Sequence, residues 1–236
     1  TRKVVKHYTK TENENSICDN SIFSIYKDHS GRVLIGTLYG LCYYNPESDD
    51  FTRVTSLGNI FVNDILQTKD GMVWVGTLGG GLYRFNPNDN KWTVFKNDTK
   101  NPTSLAHNKI ISLFEDSKMT LWITTEGGGL CKYNPKEENF TSFTTNEGLP
   151  NNVVYKVVED NQSNLWFTTN QGVVCMNMGD YSIKQYTKSD GLLSNQFNYK
   201  SGTKDINGYI YFGGLEGFVS FDPASFVSNK HAPPVY

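Results

Sequence analysis

Cysteine is scarce: four residues in 236 (Cys18, Cys42, Cys131 and Cys175), none spaced as CxxC. That excludes a disulfide framework as the source of stability, and free thiols are expected. The four histidines, His7, His29, His107 and His231, stand near no cysteine or carboxylate at ligand spacing, so no metal or other cofactor is expected. No apolar run approaches the roughly 18 residues that cross a bilayer, and Thr1–Lys10 is too polar for a signal peptide. The expectation is a soluble chain without direct membrane insertion, either whole or a piece of something larger. Charge of one sign is also missing. Lys and Arg number 22 against 24 Asp and Glu, a net −2, which gives no field to gather nucleic acid.

What is abundant is β-sheet vocabulary. Aromatics make up 14% of the chain, glycine occurs 21 times, and Val, Ile, Thr, Tyr and Phe recur in short runs. Those runs repeat. Segments 21–46, 61–87, 109–135, 153–178 and 198–223 share one pattern, and its anchor column reads Leu34, Trp74, Trp122, Trp166, Tyr211 at spacings of 40, 48, 44 and 45 residues. A period in the forties with period-two alternation, cut by Gly, Asn and Asp, belongs to β-propeller blades rather than to a helical solenoid.

Each unit reads as four strands. A nearly continuous apolar first strand (Ile110 to Phe114) is followed by a polar turn with Asp28, Asp116, Asp160 and Asp205 in one column. The second strand carries the anchor, a glycine-rich hairpin (Gly79–Gly81, Gly127–Gly129) leads into the third, and Asn-Pro or Asp-Pro ends it. An outer strand such as Lys91–Phe95 closes the unit. The expected fold is therefore all-β, one propeller of about five four-stranded antiparallel blades over residues 16–55, 56–97, 104–145, 148–187 and 191–223. The fifth unit lacks an outer strand, and residues 3–9, around Val4–Tyr8, have the look of one. Two closures stay open. The N-terminal strand completes the last blade of a closed disc, or the chain is an open arc of a larger propeller. Residues 224–236 read as a C-terminal linker.

The units resemble the two-component regulator propeller repeats in their N-x-I…D-x-x-G-x-x-W-x-G-T-x-x-G-G-L-x-x-Y-N-P pattern. The linkers Asn101–Leu105, Gly148–Asn152 and Gly191–Asn198 match that family closely. Tyr211–Gly214, Phe221–Pro223 and Ala232–Val235 resemble its last repeat before a β-sandwich domain. Leu34 in place of Trp and Asn177-Met178 in place of Asn-Pro depart from the pattern. The resemblance implies a periplasmic, non-catalytic sensor region of a Bacteroides-type hybrid histidine kinase, joined to a following β-sandwich domain and kinase. It also implies a glycan fragment as ligand and, as one mode of action, homodimerisation.

Local chemistry offers little against that reading. Gly76–Leu82 lacks the Lys-Ser/Thr of a phosphate loop, Asp205–Gly208 lacks a calcium loop's glutamate at the right distance, and Glu115-Asp116 and Glu159-Asp160 sit in the repeated turn column. Cys42 and Cys131 share a third-strand column with Tyr83 and read as core residues, and the Trp column reads as blade-to-blade packing rather than sugar stacking. In a propeller, the linker into the first strand and the turn between strands two and three lie on one face. The candidate ligand residues are Asn20, Asn108, Asn152 and Asn195 on the linkers, with Gln196 beside them, and Tyr39, Leu78, Glu126, Asn170, Gln171 and Glu216 on the turns. The alternative for the asparagines is turn capping. Two further readings compete: a ligand-free scaffold for dimer or interdomain contact, and a propeller lyase or glycosidase, which would need His, Tyr, Arg or paired carboxylates, such as Glu126 and Glu216, to converge at the channel mouth.

Overall fold

The computed structural model describes residues 6–226. Within them lie five antiparallel sheets and no α-helix, the blades of a β-propeller. Blade 1 is β1 (Ile22–Lys27), β2 (Val33–Thr37), β3 (Gly40–Asn45) and β4 (Asp50–Arg53); blade 2 is β5 (Val62–Gln67), β6 (Val73–Thr77), β7 (Leu82–Asn86) and β8 (Lys91–Phe95). Blade 3 is β9 (Ile110–Glu115), β10 (Leu121–Thr125), β11 (Leu130–Asn134) and β12 (Asn139–Phe143); blade 4 is β13 (Val154–Glu159), β14 (Leu165–Thr169), β15 (Gly172–Met176) and β16 (Ile183–Tyr186). Blade 5 has three strands, β17 (Phe197–Lys204), β18 (Ile210–Gly214) and β19 (Gly217–Phe221). The first strands pack in sequence, β1 on β5, β5 on β9, β9 on β13 and β13 on β17. They line the axis.

Two details differ from expectation at the ends. Lys6–Thr9 form no strand and do not complete blade 5; residues 3–5 lie outside the described residues. Tyr8 instead sets its ring 5.2 Å from Phe51 and 5.8 Å from Tyr44 of blade 1, and Lys6 pairs with Asp49. An aromatic cluster on blade 1 holds this segment rather than the free edge of β19. Of the linker over 224–236, Ala224 and Ser225 lie in a short 3-10 turn, and Phe226 packs on Trp166, Tyr186 and Phe221; the rest lies outside the described residues.

The repeated aspartate fixes the turn between the first two strands of a blade. In blade 3, Asp116 Oδ1 accepts from the backbone N–H of Lys118 and Thr120, and Oδ2 accepts from the Trp122 indole at 2.9 Å. Blade 4 repeats this with Asp160, Gln162, Asn164 and Trp166. In blade 5 the Tyr211 hydroxyl supplies the donor to Asp205. Leu34 has no donor, and in blade 1 the Arg32 guanidinium takes the place of the indole on Asp28. Blade 2 has Thr68 in the column, which accepts from Trp74 Nε1 at 3.2 Å. One turn is thus tied to one anchor ring in blades 2 to 5, and to Arg32 in blade 1. A buried carboxylate is tolerated because each of its oxygens is matched by a donor.

Those anchor rings then cover the next blade. Trp74 meets Tyr133 of blade 3 at 4.8 Å, and Trp166 meets Phe221 of blade 5 at 4.8 Å. Trp122, fully buried, shares a cluster with Val157, Leu165 and Met176 of blade 4. The packing role expected of the Trp column is what the rings perform.

Replacing Asp116 with Ala strands an indole N–H and two backbone N–H groups, and is expected to cost about 3 kcal/mol of unfolding free energy, read by urea denaturation. Asp28 supplies a pH test. Burial opposes its ionisation, but bonds from the Ser30 hydroxyl and from Arg32 outweigh this and hold the carboxyl below its ordinary value. A depressed carboxylate stabilises the fold above its unfolded value of about 4 and ceases to do so as pH falls through the folded value. The melting-temperature gap between the parent and Asp28→Asn is therefore expected to be widest near pH 6 and to shrink by pH 3.

Candidate functional site

Linkers and second-to-third-strand turns meet on one face. Backbone N–H groups of the turns donate to linker carbonyls within each blade, Leu38 to Ser21, Leu78 to Phe61 and Glu126 to Lys109. They also reach the next blade, Gly79 to Asn108, Gly127 to Asn152 and Gly172 to Asn195. The asparagine side chains are turned to the same task. Oδ1 of Asn20, Asn108, Asn152 and Asn195 accepts from the backbone N–H of Lys10, Asn97, Thr145 and Lys188 respectively, at 2.6–2.8 Å. This is loop capping, and it commits those oxygens within the loops.

The turn residues separate into groups. Tyr39 is exposed on blade 1, where its carbonyl accepts from Arg53. Leu78 forms a lone bridge with Lys109. The Gln171 carbonyl accepts from Gln185 Nε2. Glu216 borders a small recess with Leu193, Gln196 and Phe218, to which Glu126 does not contribute. Glu126 and Asn170 do come together, around two tyrosines that the repeat pattern does not single out. Tyr155 donates its hydroxyl to Asn170 Oδ1, and its ring lies 5.0 Å from that of Tyr199. Burial, then the Glu126 carboxylate nearby, push both phenols above their ordinary values. Lys109 Nζ holds Glu126 at 3.1 Å. Tyr155 is 7% exposed and Tyr199 is 45% exposed, so the pair forms a supported ring with an open partner.

Below this mouth the axis is polar. The residues paired with the second strand at one register are Ser24, Asp64, Ser112 and Lys156. Lys156 and Lys200 flank Asp64. Burial raises the Asp64 carboxyl, opposed by a bond from the Leu113 N–H and by the two lysines; burial lowers Lys200, opposed by Asp64. Lys200 Nζ donates to the carbonyls of Phe23 and Asn63, crossing the axis to blades 1 and 2. The interruption in the nearly continuous apolar first strand is this one polar column.

Why a tyrosine faces the mouth is local. The first strands of blades 1 to 4 break register just before the axis-facing residue, at 22/24, 62/64, 110/112 and 154/156, and blade 5 carries a longer break between 197 and 202. Such bulges re-aim one side chain. The skipped residues are Phe23, Asn63, Ile111, Tyr155 and the segment 198–201, which includes Tyr199. The sequence gives no separate sign of the bulge, because it falls inside a strand whose apolar character hides it.

Thiol chemistry does not compete. Cys18, Cys42 and Cys131 are buried, the Cys175 thiol is pushed up to about 12 by burial, and burial also raises Cys131. Among the described residues no group of three or more His, Cys, Asp or Glu could hold a metal ion.

Repeated antiparallel blades about a polar axis define a β-propeller. Three segments of the chain, residues 16–39, 56–79 and 148–171, match the model of the family described as two component regulator propeller. Histidine kinase P4 of Formosa agariphila is 29% identical over 233 residues, which is 95% of this chain and 17% of that protein. The extracellular domain of the hybrid two-component system BT3049 of B. thetaiotaomicron superposes with a TM-score of 0.82 at 29% identity, over 97% of this chain and 31% of that one. The chain thus spans less than a third of either relative. PorZ of Porphyromonas gingivalis (18% identity, TM-score 0.71, 92% of this chain and 34% of that one) and virginiamycin B lyase of Staphylococcus aureus (13%, 0.63, 89% and 71%) share the fold.

Proposed function

We propose that this chain is a ligand-binding part of the periplasmic sensor region of a hybrid two-component histidine kinase, and that its ligand is a glycan fragment seated on Tyr199 at the axis mouth. The observation that carries the reading is the Tyr155–Tyr199 pair with Glu126 and Asn170 beside it. A sugar ring has an apolar C–H face and equatorial hydroxyls. An open phenol ring suits the first, and a carboxylate and an amide suit the second. The likeness to the extracellular domain of a two-component system supports the sensor context. In that context the bound state is passed to a following β-sandwich domain and kinase, with homodimerisation as one route.

The reading is non-enzymatic. Glycosidase chemistry needs two carboxylates facing one bond, and Glu126 and Glu216 border different surroundings. The scaffold reading is favoured by a separate observation, the exposure of apolar Ile25 on blade 1 and Phe218 on blade 5.

The test is a thermal-shift and calorimetric screen of neutral and acidic oligosaccharides. A ligand that binds the native state raises its melting temperature by mass action. Tyr199→Ala and Glu126→Gln are each expected to weaken the responding sugar at least tenfold, while Asn108→Ala lowers stability and leaves affinity within about twofold. A responding sugar that binds Tyr199→Ala as well as the parent contradicts the site, and no response across the panel favours the scaffold.

A further inference from the structure

Two ring positions recur at the seams between consecutive blades. One is the second-strand anchor, and the other is the outer-strand residue opposite the first apolar residue of the third strand. Blade 2 fills them with Trp74 and Phe95, blade 3 with Trp122 and Phe143, and blade 4 with Trp166 and Tyr186. The two rings of each pair lie 5.8, 5.9 and 5.6 Å apart. Blade 1 has neither ring. Leu34 stands at the anchor, and Val54, whose N–H donates to the Leu41 carbonyl, stands at the second position.

The receiving blade shows the consequence. Tyr133 and Phe140 of blade 3, met by Trp74 and Phe95, are 6% and 3% exposed. Their counterparts on blade 2, Phe85 and Trp92, pack with Leu34 and stay half-buried. Leu34, Val54, Phe85 and Trp92 together wall a cavity of about 360 Å³. At the seam of blades 2 and 3 a recess borders Trp74 but neither Phe95 nor Phe140, so it leaves the ring positions filled. Tyr43, a further wall of the blade 1 cavity, stands at the register of Arg84, whose guanidinium covers Trp74 and Phe95 at 5.7 and 5.4 Å.

Charge at this cavity has one sign. Its lining holds two arginines and no carboxylate. Arg53 is committed, donating to the carbonyls of Tyr39 and Cys18 and to the Asn59 side chain. Arg32 spends only Nε, on Asp28 Oδ2 at 2.8 Å, and its two terminal nitrogens have no partner among the described residues. Aromatic walls favour a flat ring, and a guanidinium with free N–H groups favours a carboxylate. The volume is that of a small-molecule site.

We propose that the seam between blades 1 and 2 binds a small planar aromatic carboxylate. Its ring takes the place that tryptophan holds in blades 2 to 4, and its carboxylate pairs with Arg32. A bound acid covers Phe85 and Trp92 and so ties blade 1 to blade 2 as Trp74 ties blade 2 to blade 3. The site shares no residue with the Tyr199 mouth.

The probe is indole-3-carboxylate, titrated into the 15N-labelled chain and read on the indole N–H signals of its four tryptophans. Trp74, Trp122 and Trp166 donate to their turns, and only Trp92 borders the cavity. The Trp92 signal is expected to move with a Kd of about 1 mM or tighter, the range for a ligand of this size, while the other three hold still. Val54→Phe and Leu34→Trp each fill the cavity and are expected to weaken binding about tenfold or more, whereas Tyr199→Ala leaves it unchanged. Indole-3-carboxamide keeps the ring without the charge, and cyclohexanecarboxylate keeps the charge without the flat ring. Each is expected to bind about fivefold or more weakly than the aromatic acid. A Trp92 signal that stays in place up to about 10 mM overturns the proposal, as does binding that both filling variants leave intact. Equal affinity for the amide removes the role of Arg32, and equal affinity for the cyclohexane acid removes that of the ring; either overturns it. The ligand series uses the parent chain alone, so the test stands even where a filling variant does not fold.

Discussion

A four-stranded blade with two apolar faces is stable only when a neighbour covers each face, and this constraint organises the whole molecule. A single sheet of four short strands buries too little to order itself. Stacking blades about an axis covers both faces of every inner blade, and stability then comes from interfaces between nearest neighbours. The burial of Leu82, Leu130 and Val173 beside the exposure of Phe218 states the same constraint in side chains.

Within a blade, the buried aspartate turns a flexible connection into a fixed one. Its carboxylate gathers two turn N–H groups and one anchor donor, so the turn that positions strand two also orients the ring that covers the next blade. The substitutions in this column keep its chemistry. Arg32 replaces an indole where Leu34 stands, and Thr68 replaces an aspartate in blade 2. Local hydrogen bonding and long-range packing are coupled through the same residues, which is how a repeat tolerates variation elsewhere.

The architecture was legible in the sequence because that coupling recurs at fixed spacing. Anchor ring, turn aspartate, glycine hairpin and Asn-Pro stop each occupy one column, and five copies make the pattern visible. The face shared by linkers and turns was legible for the same reason. The mouth itself was less so. Glu126 and Asn170 stood out as variable turn residues, whereas Tyr155 and Tyr199 reach the mouth through irregularities in register inside first strands, and alternation alone does not announce a bulge. The asparagine column was conspicuous because it caps loops, a structural demand met this way in four of the five repeats. The segment before Thr9 has strand-like composition, yet Tyr8 finds Tyr44 and Phe51 rather than the edge of β19.

The blades differ most along the axis and at its mouth. The axis residues Asp64, Lys156 and Lys200 and the Tyr155–Tyr199 mouth differ from blade to blade on a scaffold whose interfaces share one plan. The central claim is that each blade owes its order to the neighbours on its two faces. Native-state hydrogen exchange, resolved by strand, tests it most directly. Amides of β9, β10, β13 and β14 are expected to be the most protected, with protection falling stepwise toward β1 on one side and β19 on the other; protection of β1 and β19 equal to that of β13 would contradict the account.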